Sequence, residues 1–325
     1  MLKLRLLVEK DYERKRDELF ERTSEDPEIA HEEFIRLARR FHLFRLEKLL
    51  LDNPSNYLNP GIEISNAAGF NKNGDIPPTF LKYLGFDRVV IGTVTYDPWQ
   101  GNPHPRIMRI SETKSLINWM GLPGIGAKAV ADQMYSYGKH KVPLTINITA
   151  TPGKQGDEAL RDLEQTITEL RNLPYTDRFE LNVSCSNTRS QSGSIDARKE
   201  YQSMLPNMPG LFNNLLLYHQ KLYLKVSPDL KREEIEDTIT IAKQHDISGF
   251  TISNTTTQHD PKYVPESPGK GGASGEAVYK LSLQTQLMFT EIARTNNYWF
   301  DIIACGGINS IKRAAERTLY AECDK

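Results

Sequence analysis

PLTINIT (143–149), GDEALRDLEQTITELRN (156–172) and FELNVS (179–184) follow one another with only short joins between them. The first and third are short apolar and β-branched runs, and the middle segment is amphipathic. A strand, a helix and a second strand in that order read as two parallel strands joined by a crossover. Outward from this unit the alternation continues, with GIEISNAAG (61–69) and DRVVIGTVT (87–95) before it and LYLKVS (222–227), GFTISN (249–254) and DIIACGG (301–307) after it. REEIEDTITIAKQHD (232–246) supplies another amphipathic stretch between strands. Seven strand candidates therefore predict an α/β chain closed as a (β/α)₈ TIM-type barrel, whose chemistry sits where the strands end. A doubly wound open sheet is the alternative. It is disfavoured because no GxGxxG follows the first strand and because polar residues follow nearly every strand rather than one switch point.

Composition narrows the function classes. With 325 residues, 38% of them hydrophobic, the chain can bury a large core. Its 41 basic and 42 acidic residues nearly cancel, so no overall field argues for nucleic acid as partner. Cys185, Cys305 and Cys323 are too scattered for a disulfide framework or a metal site, which fits a reducing cytoplasm. No apolar run is long enough to span a bilayer, and MLKLRLLVEKDYERKR turns charged too soon for a signal peptide. Before the strands, PEIAHEEFIRLARRFHLFRLEKLLLDN (27–53) places Ile29, Phe34, Leu37, Ala38, Phe41, Leu46 and Leu49 at helical spacing, so 1–54 is expected to form an N-terminal helical extension and 55–325 the barrel.

The strand ends carry Ala68 to Gly74, Thr93, Asn147, Asn182 with Cys185 and Asn187, Lys225, Ser253 to Thr255, and Gly306-Gly307. On a closed barrel these converge on one mouth. A single Asn there is an ordinary loop cap, but Asn at strand after strand offers fixed donors and acceptors to a flat, amide-rich ring, while lysines hold negative charge. GGASG (271–275) and Gly306-Gly307 would let backbone N–H groups approach a phosphate, at the late loops where barrels commonly bind one.

In order, NAAGFNKNG, VIGTVT, QGNPHPR, INWMGLPG, LNVSCSNT, LKVSPDL, ISNTT, GGASG and ACGGINS resemble the dihydroorotate dehydrogenase family, from about Asn66 to Ser310. The resemblance implies an FMN-binding barrel that oxidises dihydroorotate to orotate in pyrimidine synthesis. It implies FMN contacts from Ala68, Gly69, Lys72, Thr93, Asn147, Asn182, Lys225, Ser253, Gly275 and Gly307. Substrate would be held by Lys72, Asn118, Met120, Gly121, Leu122, Asn182, Asn187, Asn254 and Thr255. Cys185 falls where the family keeps its base, removing a proton beside a carbonyl while hydride leaves the adjacent carbon. Lys225 would stabilise the anionic reduced ring. Cys305, in a strand without polar neighbours before it, reads instead as a buried apolar filler.

The pattern mixes two classes of the family. The N-terminal extension, GNPHPR and Asn254 to Thr256 resemble the membrane-associated class, whereas Cys185 and Met120 to Pro123 resemble the soluble one. Ser186 replaces the proline usual after the base, and Asn71 stands where the membrane class commonly has Asp. Arg36, Arg39, Arg40, Arg45 and Lys48, interleaved with Phe34, Phe41 and Phe44, suit a helix lying on the inner face of the cell membrane and admitting a quinone. Glu28, Glu32, Glu33 and Glu47 dilute that charge, which leaves a helix packed on the barrel, and a soluble acceptor such as fumarate, as alternatives. After Gly306-Gly307 the resemblance implies one more strand and a closing helix, so the barrel is expected to lack its last βα unit. Two other functions compete: a dihydropyrimidine-type dehydrogenase on the same barrel, and a truncated, inactive barrel acting as a binding protein.

Overall fold

In the computed structural model, residues 26–43, 62–184 and 220–319 are described. The elements run α1 (Pro27–Leu43), α2 (Pro78–Tyr83), β1 (Val89–Val94), β2 (Ile107–Ile110), β3 (Ser115–Asn118), α3 (Ala127–Ser136), β4 (Leu144–Ile148), α4 (Gly156–Leu170) and β5 (Thr176–Asn182). They continue with β6 (Lys221–Val226), α5 (Arg232–Gln244), β7 (Gly249–Ile252), β8 (Gly272–Gly275), α6 (Glu276–Thr295), β9 (Asp301–Ala304) and α7 (Ile311–Leu319).

Six strands pair in parallel in the order β1-β4-β5-β6-β7-β9. Neighbours in space are therefore successive in the main alternation, without the reversal of a doubly wound sheet. This is the TIM-barrel type of arrangement. The expected strand GIEISNAAG is present only as a parallel bridge between Ser65 and Arg88. Backbone bonds run from the Asp87 N–H to the Ile64 carbonyl at 2.7 Å and from the Gly69 N–H to the Gly92 carbonyl at 2.7 Å, and between them side chains fill in: Asn66 donates from Nδ2 to the Val90 carbonyl at 2.8 Å and accepts from the Val90 N–H at 3.0 Å, and the Asp87 carboxylate accepts from the Ile64 N–H at 3.1 Å.

Strand side chains alternate between faces. The outward set includes Leu144, Ile146 and Ile148 on β4, Phe179 and Leu181 on β5, Leu222, Leu224 and Val226 on β6, and Phe250 and Ile252 on β7. It packs against Val130 and Met134 of α3, Leu163 and Ile167 of α4, Ile235 and Ile239 of α5, and Phe289 and Ile292 of α6 in one core. Each fully buried aliphatic or aromatic side chain there contributes about 1.5–3 kcal/mol.

The helix α1 begins where Asp26 caps it, its Oδ1 accepting from the Glu28 N–H at 2.8 Å, with Pro27 at the first helical position. The helix lies on the barrel: Ala30 and Ala38 are buried, Phe34 and Ile35 pack against the main core, and Glu28 pairs with Arg106 at 2.7 Å. Ile29 and Leu37 stay exposed on its other side. No helix among the described residues is long and apolar enough to cross a membrane.

A second, antiparallel sheet of order β2-β3-β8 was not anticipated. It has its own small core of Ile110, Ile117, Val264, Ala273 and Ala277, and it joins residues far apart in the chain, Ser115 pairing with Gly275 and Asn118 with Gly272. Gly272 is required at that crossing, because a Cβ there would stand 2.0 Å from Thr255 Oγ1.

His31 of α1 sits between Phe34 and Phe70, with ring centroids 6.3 and 5.2 Å away. Burial lowers its pKa below the ordinary 6.5, against the raising effects of a Phe70 backbone bond and nearby carboxylates. The unfolded chain thus binds the proton more readily, so stability is retained above pH 6.5 and falls as pH drops below it. Thermal melts from pH 7.5 to 5.5 are expected to show this acid-side loss, and His31→Phe should make it shallower; an unchanged slope would remove His31 as its cause.

Candidate active site

The inward faces of the parallel strands are polar. Thr145 and Asn147 on β4, Glu180 and Asn182 on β5, Tyr223 and Lys225 on β6, and Thr251 with Ser253 after β7 occupy alternate positions along each strand. All except Asn147 line a single cavity of about 1940 Å³ that runs from the strand starts, at Arg88, Lys221 and Asp301, to the strand ends and the β2-β3-β8 sheet. One drug-sized ligand needs roughly 300–1,000 Å³, so this space admits a cofactor and a substrate together.

The structure brings the expected site residues to this cavity. Ala68, Gly69, Lys72, Thr93, Asn182, Lys225, Ser253, Gly275 and Gly307 line it, as do Asn118, Met120, Gly121, Leu122, Asn254 and Thr255. Asn147 lies fully buried behind that wall, donating from Nδ2 to Glu180 Oε1 at 2.5 Å. Cys185 and Asn187 fall outside the described residues. Cys305 departs from its expected role: it follows β9 at the strand end, half-buried on the cavity wall.

One hydrogen-bonded net forms the floor beside Ser184. Asn254 donates from Nδ2 to Asn182 Oδ1 at 3.1 Å and to Ser184 Oγ at 2.9 Å, while Asn182 donates to Thr93 Oγ1 at 3.3 Å. Asn254 Oδ1 in turn accepts from the Thr255 N–H at 2.9 Å. With both ends of the Asn254 amide occupied, its orientation is fixed before any ligand arrives.

Beneath this net Glu180 was missed by sequence reasoning. It is 3% exposed and accepts from Asn147 and from the Thr251 hydroxyl, with Lys225 Nζ 3.9 Å from Oε1. A buried carboxylate and ammonium this close sustain one another, since either alone would bear the full cost of desolvation. The available signal was an acidic residue two positions before Asn182 in a strand, which puts both on the inward face. Arg317 was also missed, because its helical segment reads as a surface pattern; it is 1% exposed, and burial lowers its pKa to about 10.

These residues fit a flat, amide-bearing ring with an attached anion. Asn147 Oδ1 and Thr145 Oγ1 are buried polar atoms without a hydrogen-bond partner among the described residues. At the late loops Gly307 approaches so closely that a Cβ there would stand 2.6 Å from the Gly275 carbonyl. The backbone N–H groups of Gly306, Gly307 and Ile308 donate to nothing among the described residues. Free N–H donors in a glycine turn form an anion cradle.

The comparisons with known proteins converge. The family model described as dihydroorotate dehydrogenase matches residues 54–320. A dihydroorotate dehydrogenase (quinone) of Rhodopseudomonas palustris strain TIE-1 is 30% identical over 270 residues, covering 78% of this chain and 68% of that protein. A dihydroorotate dehydrogenase (quinone) of Natronomonas pharaonis is 32% identical over 252 residues, covering 77% and 67%. In fold, the chain is similar to the crystal structure of DHODH from Eimeria tenella in complex with ferulenol, with a TM-score of 0.73, 23% identity, and coverage of 91% of this chain and 84% of that one.

Glu180→Ala should destabilise the protein by about 3–5 kcal/mol, the scale for breaking a buried ion pair from one side. Glu180→Ala combined with Lys225→Met should recover part of that loss, because neither charge is then left alone. Urea unfolding of Glu180→Ala, Lys225→Met and the double variant checks this, and additive losses would rule out the coupling.

Proposed function

The chain belongs to the dihydroorotate dehydrogenase family, and we propose that it oxidises dihydroorotate to orotate on FMN and passes the electrons to a quinone. The observation that carries this reading is the convergence of the resemblance-derived residues on one cavity. FMN, when bound, would supply the hydride acceptor. Ala68, Gly69, Thr93, Asn182 and Lys225 would hold its ring, with Asn147 behind them, and Ser253, Gly275 and Gly307 its phosphate.

The chain's own residues perform the rest. Asn118, Asn182, Asn187 and Asn254 offer the donors and acceptors that the substrate's ring amides and carboxylate need, and Lys72 adds a positive charge. The lip of Met120, Gly121 and Leu122 closes over the ring and excludes water. Cys185, one residue beyond the Asn182–Asn254–Ser184 net, is the base: its thiolate takes the proton from the ring carbon beside the carbonyl. A free thiol ionises near pH 8.5, so the proton-removal rate should rise with pH through the neutral range unless nearby donors lower that value. The Lys225 cation, held in place by Glu180, stabilises negative charge developing on the acceptor ring.

The quinone part of the reading is supported by the names of the relatives above and by the placement of α1. His31, Glu28, Glu32 and Ile35 of that helix stand in the cavity wall, so a ligand entering past α1 meets the same space. The helical region within 1–54 is thereby the candidate quinone approach, with peripheral contact to the membrane as its corollary.

Adding dihydroorotate without oxygen to the purified flavoprotein should bleach the flavin, and a soluble quinone should restore its colour faster than fumarate does. Cys185→Ala should retain flavin while slowing bleaching by roughly 10²-fold or more. Bleaching by dihydropyrimidines together with failure to bind orotate would favour the dihydropyrimidine-type alternative, and a chain without flavin would favour a binding protein.

A further inference from the structure

Arg317 is the largest of the fully buried side chains, and none of its partners is a carboxylate. Its Nε donates to Gln286 Oε1 at 2.5 Å, Nη1 to Ser282 Oγ at 3.0 Å and Nη2 to the Ile252 carbonyl at 2.7 Å. Gln286 returns a bond from Nε2 to the Arg317 carbonyl at 2.8 Å. All three acceptors are neutral, and no carboxylate lies within ion-pair distance of the guanidinium among the described residues. Glu316 acts on the guanidinium only at longer range, and a buried cation whose direct partners are all neutral is costly, so its retention calls for a further anion or a positional task.

The partners of Arg317 define the task. The Ile252 carbonyl also accepts from the Cys305 N–H at 2.6 Å, and the Cys305 carbonyl accepts from the Ser253 N–H at 2.8 Å and from the Ser282 hydroxyl at 2.6 Å. Arg317 and Ser282 thus clamp both carbonyls of the pair that joins the ends of β7 and β9. One residue beyond the clamp, the two strands become Ser253 and Gly306-Gly307. Gly306 rests on Ser282 itself, since a Cβ there would stand 3.3 Å from Ser282 Oγ. The positive charge therefore lies under the turn whose N–H groups donate to nothing among the described residues, on the wall of the same cavity.

We propose that Arg317 is a positioning residue for the phosphate end of the cofactor, fixing Ser253 and Gly306-Gly307 through Ser282 and the Ile252 carbonyl and lending its charge to the phosphate. This rests on the FMN reading above and adds a residue to it.

FMN and riboflavin differ only in the phosphate, so the pair separates this role from general scaffolding. Dissociation constants for both are measured by fluorescence quenching of the deflavinated protein, for the wild type, Arg317→Gln, Arg317→Lys and Ser282→Ala. Arg317→Gln should weaken FMN roughly ten- to a hundredfold, the range for losing a charge-assisted contact, while riboflavin changes less than about threefold. Arg317→Lys keeps the cation and should retain most of the preference for FMN. Should Arg317→Gln not fold, Ser282→Ala carries the test: it leaves the charge and breaks the clamp, and a partial loss of the FMN preference is expected. Equal weakening of both flavins, or a preference for FMN unchanged in Arg317→Gln and Ser282→Ala, would overturn the proposal while leaving the cofactor reading intact. A wild type that took up neither flavin would overturn both.

Discussion

Successive side chains of a strand must leave on opposite sides, and in this protein that rule separates two chemistries across one layer of backbone. On one side Ile146, Leu181, Leu224 and Phe250 meet helices and make the core; on the other Thr145, Asn182, Lys225 and Thr251 face the cavity. The same burial that stabilises the sheet therefore holds the polar groups in register. Asn147 stands opposite Glu180 in the pairing of β4 with β5, and Lys225 opposite Thr251 in that of β6 with β7. A slip of one residue would exchange the two faces and destroy core and site together.

Charges buried in this frame are each met differently. Arg88 is 4% exposed and ties the strand starts together, donating to Glu63, to Asp177 and to the Leu144 carbonyl, so its carboxylates outweigh the burial that would lower its pKa. Glu180 and Lys225 meet within the cavity floor. Arg317 alone of these is held by neutral acceptors, and burial accordingly wins. The contrast sets an arginine paired with carboxylates at one end of the sheet against one whose direct partners are neutral at the other.

The parallel sheet was legible because strand and helix periodicities alternate plainly from residue 87 onward, and six of the seven expected strands form. The seventh, at 61–69, has the right composition, but the Asn66 side chain bonds Val90 and interrupts the ladder between the backbone bonds at Ile64 and Gly69. The β2-β3-β8 sheet was not legible: its strands are four residues each, too short for a period, and β8 is GASG, which reads as a turn. Most of the site was visible as motifs at strand ends. Glu180 and Arg317 were not, since each works through a partner distant in sequence, Lys225 for one and Ile252 for the other.

The pairing of β3 with β8 also orders events in time. The lip that carries Asn118, Met120 and Leu122 is tied down by a segment lying some 150 residues later, so closing it requires most of the sheet to exist first. Loop-closure entropy makes such long-range pairings late and slow to form. The roof has a small hydrophobic core of its own, separate from that of the parallel sheet. Roof and floor therefore answer to two separate hydrophobic clusters, with the site residues set between them.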